Sequence, residues 1–190
     1  MRLSIVLTAW DGDCDDVRKV VQCLHNQTCK DFELIPVFRG CQRAHKWVSG
    51  FSSRIYLTGD NAAEFKGNAE MAVGTRLATG AYVCWVSADN LLYPNFVAEH
   101  MRNMLTGRAV SIVNTDYWSR EHYCGVFPQG LEFQKVDKLN FALSTPLAQS
   151  EKAFLADLKT WESDWAVLER AMKTGSVSWD RNSPTCAAHF

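Results

Sequence analysis

Asp89 follows the run YVCWV at residues 82–86 by three positions. Those five residues are short, apolar, β-branched and aromatic, which predicts a buried strand. Open α/β sheets bind ligands beyond the carboxyl ends of their strands, so Asp89 stands where a ligand or metal would be. Its alternative role is to cap the turn into Leu91 and Leu92. Asp164 stands at the start of a helical pattern, between Trp161 and Trp165, where the helix dipole favours a carboxylate. Arg39 ends the apolar run 32–38; its guanidinium can stack on a base, meet a phosphate, or sit as a solvated turn residue. Arg76 can reach a phosphate or lie on the surface. Neither G-x-G-x-x-G nor G-x-x-x-x-G-K-[ST] occurs, so dinucleotide and P-loop chemistry fall away.

The elements that would hold these residues follow from periodicity. Leu3 to Thr8 is a strand, and the loop Ala9 to Asp13 lies at its carboxyl end. Asp15 or Asp16 can cap a helix to about Gln27, with Val17, Val20, Val21 and Leu24 on one face. Phe32 to Phe38 is a second strand, Arg43 to Ser49 a short helix, and Arg54 to Leu57 a third strand. Ala69, Val73, Arg76 and Leu77 are spaced for a helix that Gly80 would stop. After the 82–86 strand come a helix from Asn95 to Leu105 and a strand from Ala109 to Asn114. Asp116 to Gly130 is an aromatic-rich connection, and Leu131 to Val136 a further strand. Thr145 to Leu158 carries short helical pieces. Trp161 to Thr174 is a helix ended by Gly175, and Val177 to Trp179 a last strand. Alternating strands and helices imply a mostly parallel sheet with helices on both faces.

Composition bounds the function. A chain of 190 residues is one domain with room for a core. Apolar residues make up 47% and charged residues 22%, near the average. A net charge of −1 lacks the basic excess of a duplex-binding surface, so nucleic acid is not the expected partner. The seven cysteines are odd in number and hold no C-x-x-C pair, which predicts reduced thiols in a cytoplasmic protein. No apolar run approaches the roughly 20 residues that span a bilayer. The start, MRLSIVL, is followed at once by four aspartates within residues 11–16 and reads as a strand, not a signal peptide.

Four blocks in order resemble the nucleotide-sugar glycosyltransferases of the GT-A type, in particular family 2. Residues 4–11, SIVLTAWD, are similar to the family's opening S-I-[IV]-[IL]-P-x-[YF]-N. Residues 24–35, LHNQTCKDFELI, match S-[IL]-x-x-Q-T-x-x-x-[FY]-E-[IL]-[IL]. Gly67, Gly74, Ala78, Gly80, Tyr82, Val83, Val86, Asp89 and Pro94 fall in register with the family's central stretch, which ends in D-x-D-D. Residues 163–175, SDWAVLERAMKTG, look like E-D-W-x-x-x-x-R-x-x-x-x-G. The departures are Met71-Ala72 in place of Arg-Asn, Ser87 in place of the first acid of D-x-D, and Phe38-Arg39 where the family has two acids.

The resemblance implies a GT-A α/β fold with a mostly parallel central sheet flanked by helices, in a single domain. Residues 1–90 would bind the nucleotide-sugar and residues 91–190 the acceptor and the catalytic base. It implies transfer of a sugar to an acceptor hydroxyl, on a glycan or another compound, with inversion. Asp89 would hold Mn²⁺ or Mg²⁺ as a Lewis acid against the leaving diphosphate. His189, the last histidine, would join it as a metal ligand. Asp164 would take the acceptor's proton as general base. Thr8, Ala9, Asp11, Arg39, Arg76, Ser87 and Ala88 would line the donor, UDP-sugar first and GDP-sugar second. Trp118, Trp161 and Trp165 would line the acceptor, though core packing explains aromatic residues equally well. Two rival functions remain: an inactive nucleotide-sugar-binding domain, and a transferase acting on modified nucleic-acid bases.

Overall fold

The computed structural model describes residues 1–51, 56–58, 67–119, 122–127, 137–150, 163–179, 184 and 186–188. The first strand, β1 (Leu3–Trp10), is buried from Leu3 to Ala9, as an apolar run covered on both faces must be. Helix α1 (Asp16–His25) buries Val17, Val20, Val21 and Leu24, the stripe its periodicity predicts. Asp15 stands at its N-cap position in αR geometry and makes no capping bond through its side chain. β2 (Phe32–Arg39), α2 (His45–Val48) and β3 (Tyr56–Thr58) follow. Then come α3 (Asn68–Leu77), β4 (Tyr82–Ser87), β5 (Leu91–Leu92), α4 (Phe96–Met104) and β6 (Val110–Ile112). The chain continues through β7 (Thr115–Ser119), β8 (His122–Phe127), β9 (Phe141–Ser144) and α5 (Thr145–Ser150). It ends in α6 (Ser163–Thr174), β10 (Val177–Trp179) and β11 (Cys186–Ala188).

Seven strands form the main sheet in the order β10-β6-β9-β4-β1-β2-β3. β1 runs parallel to β2 and β4, β2 parallel to β3, and β6 parallel to β10; β9 alone is antiparallel, to both β4 and β6. Strands from residues 1–90 and from 91–190 thus enter one sheet. The second sheet, β5-β11-β7-β8, lies beyond it. Side chains alternate across β1. Leu3, Ile5 and Leu7 join the α1 and α4 side of the core, while Val6 joins Met71 of α3 and Leu168 of α6 on the other.

Several expectations are corrected. Helix α3 buries Asn68, Met71, Ala72 and Thr75, with Val73 and Leu77 partly buried against the same core, and it stops at Leu77 rather than at Gly80. Its Gly74 lies on β1, and a Cβ there would sit 2.2 Å from Val6 Cγ1. Gly80 serves close approach instead of a helix stop, since its Cβ would sit 2.6 Å from the Arg2 carbonyl oxygen. The aromatic connection is a hairpin, β7–β8, with a bulge between Tyr117 and Trp118. β9 was not expected from the sequence. Cys14 and Cys41 form a disulfide, against the expectation of reduced thiols throughout. Counting cysteines could not anticipate this. The two lie just past the ends of neighbouring parallel strands, β1 and β2, which bring them together. Among the described residues no helix is long and apolar enough to cross a membrane. The expected strand at Leu131–Val136 lies outside the described residues.

Candidate functional site

The carboxyl ends of β1, β2 and β4 open on one edge of the sheet because the strands are parallel. At the end of β4 the chain closes a tight turn. The Ser87 N–H donates to Asn90 Oδ1 at 3.0 Å, and the Asn90 N–H donates back to the Ser87 carbonyl at 3.1 Å. Asn90 is buried, and the turn leaves Asp89 half-buried at the strand tip. Ser87 pairs with Thr8 across β1, and the Ala88 N–H donates to the Thr8 carbonyl at 3.0 Å. Thr8, Ala9, Ser87 and Ala88 are all buried, so they fix β4 against β1 and shape the floor beneath Asp89. Asp11 begins a short 3-10 turn, Asp11–Asp13, beyond β1.

Downstream of Asp89 the backbone is pinned by Gln27 and Thr28. Gln27 Nε2 donates to the Tyr93 carbonyl at 2.8 Å, and its Oε1 accepts from the Val97 N–H at 3.0 Å. Thr28 donates to the Pro94 carbonyl from both its backbone and its hydroxyl. The Q-T pair is therefore a brace for the strand-tip segment.

Arg39 is committed within the protein. Its Nε and Nη2 donate to the Glu70 carboxylate at 3.1 and 3.3 Å, tying the end of β2 to the first turn of α3. Glu70 is buried, and a guanidinium in this fork is not free to follow a base or phosphate without breaking it. Arg76 is exposed on the last turn of α3. The chain leaving that turn meets the start of β1, where the Gly80 N–H donates to Ser4 Oγ, so Arg76 lies at the opposite edge from Asp89. The structure does not bring it to the site.

A third segment completes the site. Asp137 caps the single turn Lys138–Asn140: its side chain accepts from the Leu139 N–H at 2.8 Å, and Asn140 Oδ1 accepts from the Asp137 N–H at 2.7 Å. Asn140 is fully buried and donates on to Thr115 Oγ1 at 2.7 Å, joining this turn to β7. The Lys138 N–H donates to Asp164 Oδ2 at 3.2 Å, which fixes the first turn of α6 to the same place. Burial pulls the Lys138 pKa down. The carboxylates of Asp164, Asp137 and Asp89, in descending order, more than offset that, and the pKa is raised. The charges of Asp89 and Asp164, far apart in sequence, thus both act on one ammonium.

Near the β7–β8 hairpin, Asp116 accepts from Tyr93 Oη at 2.8 Å and from Tyr123 Oη at 3.1 Å. Trp118 packs on Tyr123 with ring centroids 5.2 Å apart, and Trp165 is half-buried in the first turn of α6. Trp161 and His189 lie outside the described residues. Among the described residues no three His, Cys, Asp or Glu side chains cluster as a metal cage. Sequence reasoning missed Lys138, Asp137 and Glu70. A signal for the first two was present in D-x-x-N at 137–140, which has the reciprocal spacing of a capping box.

The backbone superposes on Staphylococcus aureus TarS, a glycosyltransferase, with a TM-score of 0.74 at 12% identity, covering 100% of this chain and 37% of that one. The chain has a GT-A-like α/β fold. Residues 1–349 of TarS in complex with UDP give 0.68 at 14% identity over 99% of this chain and 60% of that one. The complex with UDP-GlcNAc gives 0.65 at 14% over 99% and 58%. The chain therefore spans 37–60% of the length of these structures. No family profile and no curated protein matches the sequence.

Proposed function

We propose that this chain is a nucleotide-sugar glycosyltransferase that acts by inversion. The observation that carries the reading is that, in a GT-A-like fold, Asp164 at the start of α6 accepts from the Lys138 N–H, and its charge and that of Asp89 at the tip of β4 both act on the Lys138 ammonium. The donor is a UDP-sugar, with GDP-sugar second; the TarS complexes with UDP and UDP-GlcNAc support that order. Its diphosphate lies over the carboxyl edge of the sheet, beside Asp89. The acceptor, a glycan or another hydroxyl compound, lies between Trp118 and Trp165. Asp164 takes the proton of the acceptor hydroxyl as its oxygen bonds to the anomeric carbon. The bond from that carbon to the diphosphate breaks on the far side, and its electron pair leaves with the phosphate oxygen.

Mn²⁺ or Mg²⁺ fits Asp89. A half-buried carboxylate held rigidly at a strand tip is a hard oxygen donor, and these ions bind through one or two carboxylates plus substrate phosphates. When bound, the ion supplies Lewis-acid stabilisation of the leaving diphosphate. Asp89 and His189 are its proposed protein ligands.

Hydrolysis of UDP-sugars, with water as acceptor, tests the reading. Asp164→Asn should lower turnover by about 10²–10⁴-fold, the worth of a positioned general base, with UDP affinity kept. Equal turnover in both proteins would reduce the chain to a donor-binding domain or move the base elsewhere.

A further inference from the structure

We infer that Lys138 is a donor-binding residue, whose ammonium contacts the diphosphate of the nucleotide-sugar beside Asp89. The inference rests on the function proposed above. It names a residue that neither the motifs nor the resemblance singled out.

The position of the ammonium is the main ground. Asp137 and Asn140 lock the turn that carries Lys138, and Asn140 is anchored to Thr115. The backbone of Lys138 holds Asp164, and its Nζ lies 3.9 Å from where a side chain on Gly67 would begin. Gly67 is the N-cap of α3, with φ at +99°, and it offers no side chain to the helix's first N–H groups. The ammonium therefore stands at the positive end of a helix, in a field to which Asp164, Asp137 and Asp89 contribute. Next to a helix N-terminus an ammonium is unfavourable by itself. Asp164, Asp137 and Asp89 offset that in the free protein. A diphosphate entering beside Asp89 would satisfy the ammonium and the helix N–H groups together, as anions do at such ends. The open space also depends on Gly67, because only glycine takes that backbone conformation without strain.

A structural alternative exists: Lys138 could hold the three acids together and never touch the donor. The two roles differ in what they do to ligands with and without phosphate. Calorimetric titration of wild type, Lys138→Met and Lys138→Arg with UDP, inorganic pyrophosphate and uridine separates them, in EDTA and in Mn²⁺. Circular dichroism first establishes that each variant is folded. Loss of a charged hydrogen bond should weaken UDP and pyrophosphate by about 10-fold or more in Lys138→Met under both metal conditions. Uridine affinity should stay unchanged, and Lys138→Arg should restore most of the loss. Wild-type affinity in Lys138→Met for both phosphate ligands, or an equal loss for uridine, would overturn the inference. Should wild type bind pyrophosphate in a Lys138-dependent way but neither UDP nor uridine, the uracil donor fails while Lys138 stands. Should wild type bind none of the three, both readings fall. An unfolded Lys138→Met with a folded Lys138→Arg that binds as wild type is resolved by Lys138→Gln: phosphate affinity kept in that variant overturns the inference, and phosphate affinity lost supports it.

Discussion

His100 is sealed between α4 and β6, fully buried, with its ring edge-on to Phe96 and its Nδ1 2.9 Å from Ser111 Oγ. Among the described residues Nε2 has no hydrogen-bond partner. Burial depresses its pKa from the ordinary 6.5 to about 3. The folded protein thus keeps the ring neutral where the unfolded chain protonates it. Between those two values the unfolded state binds more protons, so stability rises with pH across the window. The contribution is complete above 6.5 and is lost as pH falls toward about 3. Chemical unfolding at pH 5 and 7 should show wild type losing more stability on acidification than His100→Gln. Parallel losses would mean that His100 does not govern this window. No sequence signal pointed to this residue, because a lone histidine in an amphipathic helix gives no hint of what its ring will meet. Asp89 and Asp164 were legible for the opposite reason. A carboxylate at a strand end or helix start has its place set by local pattern. Arg39 and Arg76 were not, because a long side chain's partner is a tertiary matter: one found Glu70, and the other faces solvent.

Elements are held in register by polar clamps. Glu33, on β2, accepts from Ser4 Oγ at 2.6 Å, from the Thr79 N–H and hydroxyl at 2.8 Å, and from the Gly80 N–H at 3.0 Å. It thereby fastens the α3–β4 turn to β1 and β2, and so sets how far β4 carries Asp89. Burial pushes the Glu33 pKa up, and the Ser4, Thr79 and Gly80 donors outweigh it, leaving it lowered. A depressed carboxylate stabilises above its unfolded value of 4.5 and loses that stability as pH falls through its folded value. This window lies below most of that of His100. Glu33→Gln should cost about 1–3 kcal/mol by denaturant titration at pH 7, since the buried Ser4 hydroxyl and Gly80 N–H lose a charged acceptor. A cost near zero would show the clamp to be dispensable. Glu33 and Gln27 both belong to the stretch that resembles the glycosyltransferase motif, and each is a brace here. The resemblance located them; only their partners, distant in sequence, revealed what they do.

At the scale of the molecule, the Cys14–Cys41 disulfide closes a loop of sequence separation 27 past the carboxyl ends of β1 and β2. Cross-linking such a loop restricts the unfolded chain, and its removal should cost about 2–4 kcal/mol. Thermal unfolding of wild type with and without reductant, beside Cys14→Ser, measures this. Coincident melting temperatures would show that the bond adds nothing. The alternation of strand and helix, the buried runs at 3–8 and 82–86, and the α1 stripe were readable because each reports a local period imposed by burial on one or both faces. Periodicity carries no information about neighbours in space. The antiparallel insertion of β9 between β4 and β6, the Cys14–Cys41 pairing and the bond from the Lys138 N–H to Asp164 all depend on strand order. Strand order is decided by which buried faces complete one another when the whole chain packs, a long-range condition that no window of residues contains.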